Sequence, residues 1–308
     1  MIRTVLGEIA PNELGVTYMH EHLIIDSEIV AKDFKHIHLP SVADAKSELT
    51  YCKQAGVSAM VDCMPTGSGR DIKKLAEISK STGIHLIAVT GLHTAKYYQS
   101  SDVLVNKNTE KLADIFISEI TNGCEGTQHK AGIIKVATSG EVPSDLEVRL
   151  FEAAAIAHNA TGAPILTHCE HGNGAIQQIN IFQKLGINLK HIVLSHTDKN
   201  PEFNYHKEIL SSGINVEYDQ SLRQIEFEEP VSALLTVEMF ESGFGGQIML
   251  GTDGARRSLW KSLGGSPGLS ALYSQWRYKL KSVGMTDEKL ETLFVKNPAK
   301  FLSFKGEK

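Results

Sequence analysis

The sequence predicts an α/β fold, a single (β/α)8 barrel of the TIM type spanning residues 1–308. Three observations point there. Eight short apolar runs alternate with amphipathic segments, the pattern of parallel strands joined by crossover helices. The runs are rich in β-branched residues and apolar throughout, as strands covered on both faces are. Gly56, Gly83, Gly162, Gly186 and Gly213 each stand between an amphipathic segment and the next run, where helices end in the left-handed conformation.

In chain order the expected strands are GVTYM at Val16, VSAMVDC at Met60, IHLIAVTG at Ile87 and GIIKVAT at Ile134. Then come PILTH at Leu166, HIVLSH at Val193, INVEYD at Val216 and QIMLGTD at Met249. Between them, Asp44–Ala55 reads as a helix through Ala45, Leu49 and Cys52, and Asp71–Ser81 through Ile72, Leu75, Ala76 and Ile78. Asn108–Asn122 repeats the spacing with Leu112, Ile115, Phe116 and Ile120. Ser144–Asn159 opens on Ser-Asp-Leu-Glu, a capping box, and continues through Leu150, Ala153, Ala154 and Ala157. The tail from Thr286 to Phe304 predicts one or two closing helices.

Composition narrows the function. Hydrophobic residues make up 42% and charged residues 22% of the chain, with a formal net charge of -5. That is an ordinary globular balance, without a basic arm for nucleic acid or a polybasic patch for membranes. No apolar run reaches transmembrane length, and the opening residues lack the apolar core of a signal peptide. Cys52, Cys63, Cys124 and Cys169 are scattered and form no CxxC pair, which suits a reducing cytoplasm. The expected partner is a small-molecule substrate.

In such barrels the chemistry sits at the C-terminal ends of the strands. The first run ends in His20-Glu21-His22, the fifth in His168, the sixth in His196 and the eighth in Asp253, while Lys135 lies inside the fourth. His20 and His22 alternate, so on a strand they share a face and can chelate one metal ion. Taken alone, an HxH pair equally describes two hydrogen-bonded histidines. Lys135 lies among Ile133, Ile134, Val136 and Ala137, where an ammonium is costly unless paired or modified. It reads as a salt-bridged lysine, a Schiff-base nucleophile or a carbamate formed with CO2. The surrounding histidines and Asp253 favour the carbamate, an anion able to bridge two metals. Asp253 in LGTDG is either a turn residue or a metal ligand and general base.

Together these residues resemble the phosphotriesterase family of the amidohydrolase superfamily, the phosphotriesterase-like lactonases included. The resemblance runs over essentially the whole chain, through GEIAPNELGVTYMHEHL, AHNATGAPILTH, SHTDKN and KNPAKFL. It implies an amidohydrolase-like barrel binding two divalent metal ions, usually Zn2+, with Mn2+ or Co2+ as alternatives. By position, His20, His22 and Asp253 would hold the more buried ion and His168 and His196 the more exposed one. Lys135, carboxylated, would bridge them, where some relatives carry glutamate. Asp253 would act as the base, with His196 beside it. Related enzymes often form homodimers, although no interface is legible in the sequence.

Members of the family hydrolyse phosphotriesters, lactones, phosphorylated sugar lactones or amides. Here the loop after the eighth strand is basic, with Arg256, Arg257 and Lys261, and resembles that of relatives acting on phosphorylated sugar lactones. Lys96, Tyr97 and Tyr98 after the third strand, and Arg223 after the seventh, are further candidate anion contacts. The expectation is a binuclear hydrolase of small anionic lactones or esters. Alternatives are a phosphotriesterase or acyl-amide hydrolase on the same site, or an inactive binding protein on the same fold. An inactive descendant is signalled by lost ligands, and all six candidates are present.

Overall fold

The computed structural model describes residues 1–99 and 102–304. Its centre is a sheet of eight parallel strands paired in chain order. They are β1 (Thr17–Glu21), β2 (Ala59–Asp62), β3 (His85–Gly91), β4 (Ile133–Thr138), β5 (Ile165–Cys169), β6 (Ile192–Ser195), β7 (Asn215–Tyr218) and β8 (Ile248–Leu250). Beyond β8 the backbone amides of Thr252 and Asp253 donate to the His20 carbonyl of β1, at 3.2 and 3.0 Å. This seam brings the first and last strands together into a nearly closed barrel.

The crossover helices are α1 (Val42–Gln54), α2 (Ile72–Thr82), α3 (Thr109–Thr121), α4 (Asp145–Thr161), α5 (Ala175–Lys184), α6 (Phe203–Ser211) and α7 (Val231–Glu241). Their starts are set by side chains that satisfy the free amides of the first turn. Ser41, Asp71 and Asn108 cap α1, α2 and α3. Ser144 and Glu147 form the reciprocal capping box of α4. Gly83 and Gly162 end α2 and α4 at φ 66° and 75°. The expected helix at Asp44 begins two residues earlier, because Ser41 rather than a later residue takes the capping role. After β8 the chain closes with helices over residues 277–282 and 287–302, the latter containing a π turn at Thr292–Lys296. Among the described residues no helix is long and apolar enough to cross a membrane.

Side chains alternate across the strands. Ile134 and Val136 of β4 pack outward against the helices, while Ile133 joins Met19, Val61, Ile87, Val89, Leu166, Val193 and Met249 inside the barrel. Ile2, Leu14, Phe301 and Leu302 belong to the same interior cluster. Ile2 lies on an antiparallel hairpin (Ile2–Thr4 with Gly7–Ile9) that the sequence reading did not anticipate. The interior is therefore a packed apolar core below and polar only above, toward the strands' C-terminal ends.

Candidate active site

The register of β1 against β2 shifts between Tyr18 and Glu21: Tyr18 pairs with Met60, and Glu21 with Asp62. Three steps along β1 thus match two along β2, a bulge that re-aims side chains. Met19 consequently faces the apolar interior, and its neighbour His20 also reaches the polar mouth, with its ring 5.3 Å from His22 and 4.7 Å from His196. The residue between, Glu21, accepts hydrogen bonds from the Thr252 amide at 3.0 Å and from the Thr252 hydroxyl. It ties β1 to the loop after β8.

Lys135 follows Ile133 on the inward face of β4 and is wholly buried. Its Nζ has no hydrogen-bond partner, and burial lowers its pKa from the ordinary lysine value. Two glycines allow the strands of the mouth to approach closely. A Cβ on Gly91, at φ 103°, would lie 1.8 Å from the Lys135 carbonyl oxygen, and one on Gly251 would lie 2.6 Å from the His20 Cβ. His168 is the penultimate residue of β5, with its ring 4.4 Å from that of His196.

His196 and Asp253 both adopt left-handed backbone conformations, at φ 65° and 45°. For non-glycine residues this costs about 1–2 kcal/mol each, and here it turns both side chains into the mouth. Asp253 lies 3.7 Å from His22 Nε2, 4.0 Å from His196 Nδ1, 3.9 Å from Lys199 Nζ and 3.2 Å from Arg223 Nη2. Burial pushes its pKa up, but nearby positive groups, Arg223 and Lys199 among them, more than offset this and hold the carboxyl below its ordinary value. Burial also holds the imidazoles of His20, His22, His93, His168 and His196 below theirs, His22 at about 4. All five are neutral near pH 7, the form in which imidazole binds metal.

The mouth opens into a cavity of about 500 Å³. Ile25, Ile37, Met64 and Leu259 form its apolar side, and Lys96, Lys199, Arg223 and Arg256 are its lysines and arginines. Three expected substrate contacts lie off this cavity. Tyr98 is buried with its hydroxyl donating to the Thr66 carbonyl at 3.0 Å; its neighbour Tyr97 lines the space instead. Arg257 turns to the His38 carbonyl at 2.9 Å. Lys261 sits over the Tyr51 ring, 5.8 Å from its centroid. Arg223 does line the cavity, but its guanidinium already donates to the carbonyls of Asp219, Thr252 and Asp253 as well as to the Asp253 carboxylate.

Other residues of the site went unnoticed in the sequence. Glu217 of β7 lies 3.0 Å from His20 Nδ1, and Asp219, just past β7, lies 2.7 Å from His196 Nδ1. Both carboxylates belong to the INVEYD run, whose composition predicts only a strand. Glu170 stands 2.9 Å from His168 Nε2 and 3.6 Å from Lys96 Nζ, and its carboxyl is held down to about 2, chiefly by the His168 hydrogen bond. His93, two residues past β3, was legible by the same strand-end rule that selected His168 and His196.

Ligand atoms of His20, His22 and Asp253 lie within 4.8 Å of one another, as do those of His20, His196 and Asp219. His22 Nδ1, Lys135 Nζ and Glu217 Oε2 are buried without hydrogen-bond partners, and His20 Nδ1, His196 Nδ1 and Glu217 Oε1 approach oppositely polar atoms at 3.0 and 2.7 Å without hydrogen-bond geometry. So many poorly satisfied polar atoms in one place would be costly in a purely structural core. Imidazoles and carboxylates in this arrangement fit divalent cations of the zinc type.

A (β/α)8 barrel carrying such a mouth defines a metal-dependent hydrolase. A family model described as the phosphotriesterase family matches residues 1–302, and the chain belongs to that family. It is 29% identical over 307 residues to an aryldialkylphosphatase of Saccharolobus solfataricus, covering 96% of this chain and 97% of the relative. It is 29% identical over 322 residues to a phospho-furanose lactonase of Mycoplasmopsis synoviae, covering 98% and 91%. Among solved structures, a lactonase from Listeria monocytogenes superposes with a TM-score of 0.93 at 28% identity over 99% of each chain.

Proposed function

We propose that this hydrolase is binuclear and opens lactones or cleaves esters of small anionic substrates, with phosphorylated sugar lactones the leading case. The observation that carries the reading is the grouping of His20, His22, His168, His196 and Asp253 at the mouth above the partnerless Lys135 amine. His20, His22 and Asp253 would hold one ion, and His168 and His196 the other. Lys135 would take up CO2: its neutral amine forms the new C–N bond and releases one proton. The neutral amine thereby becomes a carbamate anion, whose oxygens would be available to metal ions held by the neighbouring ligands. Zn2+ suits these donors, and Mn2+ or Co2+ would serve. Bound there, such ions supply Lewis acidity and lower the pKa of water.

Asp253 is the proton carrier in this reading. Its carboxylate, kept ionised by the cations Arg223 and Lys199, takes a proton from the attacking water and gives it to the leaving oxygen. Lys96, Lys199 and Arg256 supply a cationic rim suited to an anionic substrate end. The name of the Mycoplasmopsis relative supports the same substrate class.

A hydrolysis screen of matched furanose lactones, each with and without a terminal phosphate, tests the proposal. We expect a higher kcat/KM for the phosphorylated partner, and Arg256→Met should remove that advantage while sparing the plain lactone. Equal turnover of the two would overturn the anion preference. An aryl dialkyl phosphate in the same screen covers the activity named for the Saccharolobus relative.

A further inference from the structure

His93 lies beside the proposed metal ligands without belonging to either ligand triad. Its ring is 5.2 Å from that of His168 and 4.6 Å, edge-on, from that of Tyr97. The residue is 7% exposed, and the cavity is what it lines.

Its protonation state follows from its neighbour. The Thr94 backbone N–H donates to His93 Nδ1 at 2.7 Å. A backbone amide can only donate, so Nδ1 must present its lone pair and the ring proton must sit on Nε2. Nε2 bonds to no protein atom among the described residues, yet it is not sealed away with the buried orphans. The cavity is therefore where this N–H is offered. The orientation is held from behind, because the His93 backbone amide donates to the Tyr98 hydroxyl at 3.0 Å, which itself donates to the Thr66 carbonyl.

We propose that His93 is a catalytic residue: its Nε2–H donates a hydrogen bond to the carbonyl oxygen of the scissile acyl group and stabilises the negative charge that builds there. Two features select this oxygen. Asp253, the proton carrier, is grouped with His22 and His196, so the leaving oxygen belongs to that side. His93 is grouped with His168 and Tyr97 instead. A neutral donor also adds no further positive charge to a mouth that would already hold two cations. The role rests on the reading of the cavity as a lactone or ester centre.

The test compares His93→Leu, His93→Gln and His93→Asn with wild type as metal-loaded enzymes. The probes are a phosphorylated furanose lactone and an activated aryl acetate, and metal per chain is measured alongside. A glutamine amide reaches the position of Nε2, whereas an asparagine amide reaches only that of Nδ1. Leu and Asn should lose about 100-fold in kcat, the usual cost of one oxyanion donor, with metal content unchanged. Gln should recover at least about tenfold of that loss. The assignment is overturned if His93→Leu keeps kcat within about threefold of wild type, if its loss tracks loss of metal, or if Gln is as poor as Leu. Failure of the anion reading is visible separately, in the wild-type preference between phosphorylated and plain lactones; the variant-to-wild-type ratio on the aryl acetate still decides the role of His93.

Discussion

Lys135 shows how a single residue can be wrong for stability and right for chemistry. It is wholly buried, and its Nζ meets no partner. Burying an amine without a hydrogen bond costs on the order of 1–3 kcal/mol. Methionine has nearly the same shape and no such cost. The metal-free Lys135→Met variant should therefore unfold at or above the Tm of metal-free wild type, while binding much less Zn2+. Thermal melts of chelated protein beside metal analysis check both parts. A Tm several degrees lower would mean that Lys135 is a structural residue. The sequence made Lys135 conspicuous because an ammonium amid isoleucine and valine must be paired or modified. It could not reveal Glu217 and Asp219, whose roles depend on which neighbouring strand faces them, nor the turning away of Arg257 and Lys261. Side-chain direction in an irregular loop follows from tertiary contacts such as the His38 carbonyl, which no local pattern encodes.

The elements themselves were far more legible. Strand composition, N-caps and terminal glycines are local signals, and all eight barrel strands overlap their predicted runs. The β1 bulge escaped because HxH in an ideal strand already puts both histidines on one face; the irregularity appears only against β2. Gly91, at the end of β3, and Gly186, after α5, make different demands on the chain. Both have positive φ, but a Cβ at Gly186 meets nothing within 4 Å, whereas at Gly91 it collides with the β4 backbone. Gly186→Ala should cost about 1–2 kcal/mol, the conformational term alone. Gly91→Ala must also part β3 from β4 and should cost more than about 3 kcal/mol or prevent folding. Urea titration of the two variants decides the matter, and equal losses would contradict the steric account.

For the whole molecule, acid sensitivity has an identifiable contributor outside the candidate ligand set. His206 on α6 donates from Nε2 to the Asn200 carbonyl at 2.8 Å and accepts from the Tyr218 hydroxyl at 3.0 Å. Burial lowers its pKa to about 4, against about 6.5 in an unfolded chain. Below pH 6.5 the unfolded chain takes up a proton that the folded one refuses, so stability falls as the pH drops toward 4. The contribution lost between pH 7 and pH 5 is about 2 kcal/mol. His206→Gln should flatten the stability–pH profile by that amount over the same interval, as read by urea unfolding; an unchanged slope would assign the sensitivity to other groups. The barrel seam carries a different consequence, one of timescale. The Thr252 and Asp253 amides that close the ring of strands both rest on the carbonyl of His20, and the imidazole of that same residue stands in both candidate ligand triads. A cation that immobilises the imidazole also clamps the hinge line between the first and last strands. Deuterium uptake at the two amides should slow markedly when Zn2+ is added to chelated protein, while amides between β5 and β6 change little. Uptake at Thr252 and Asp253 that ignored the metal would show that ring closure and ion capture are independent events.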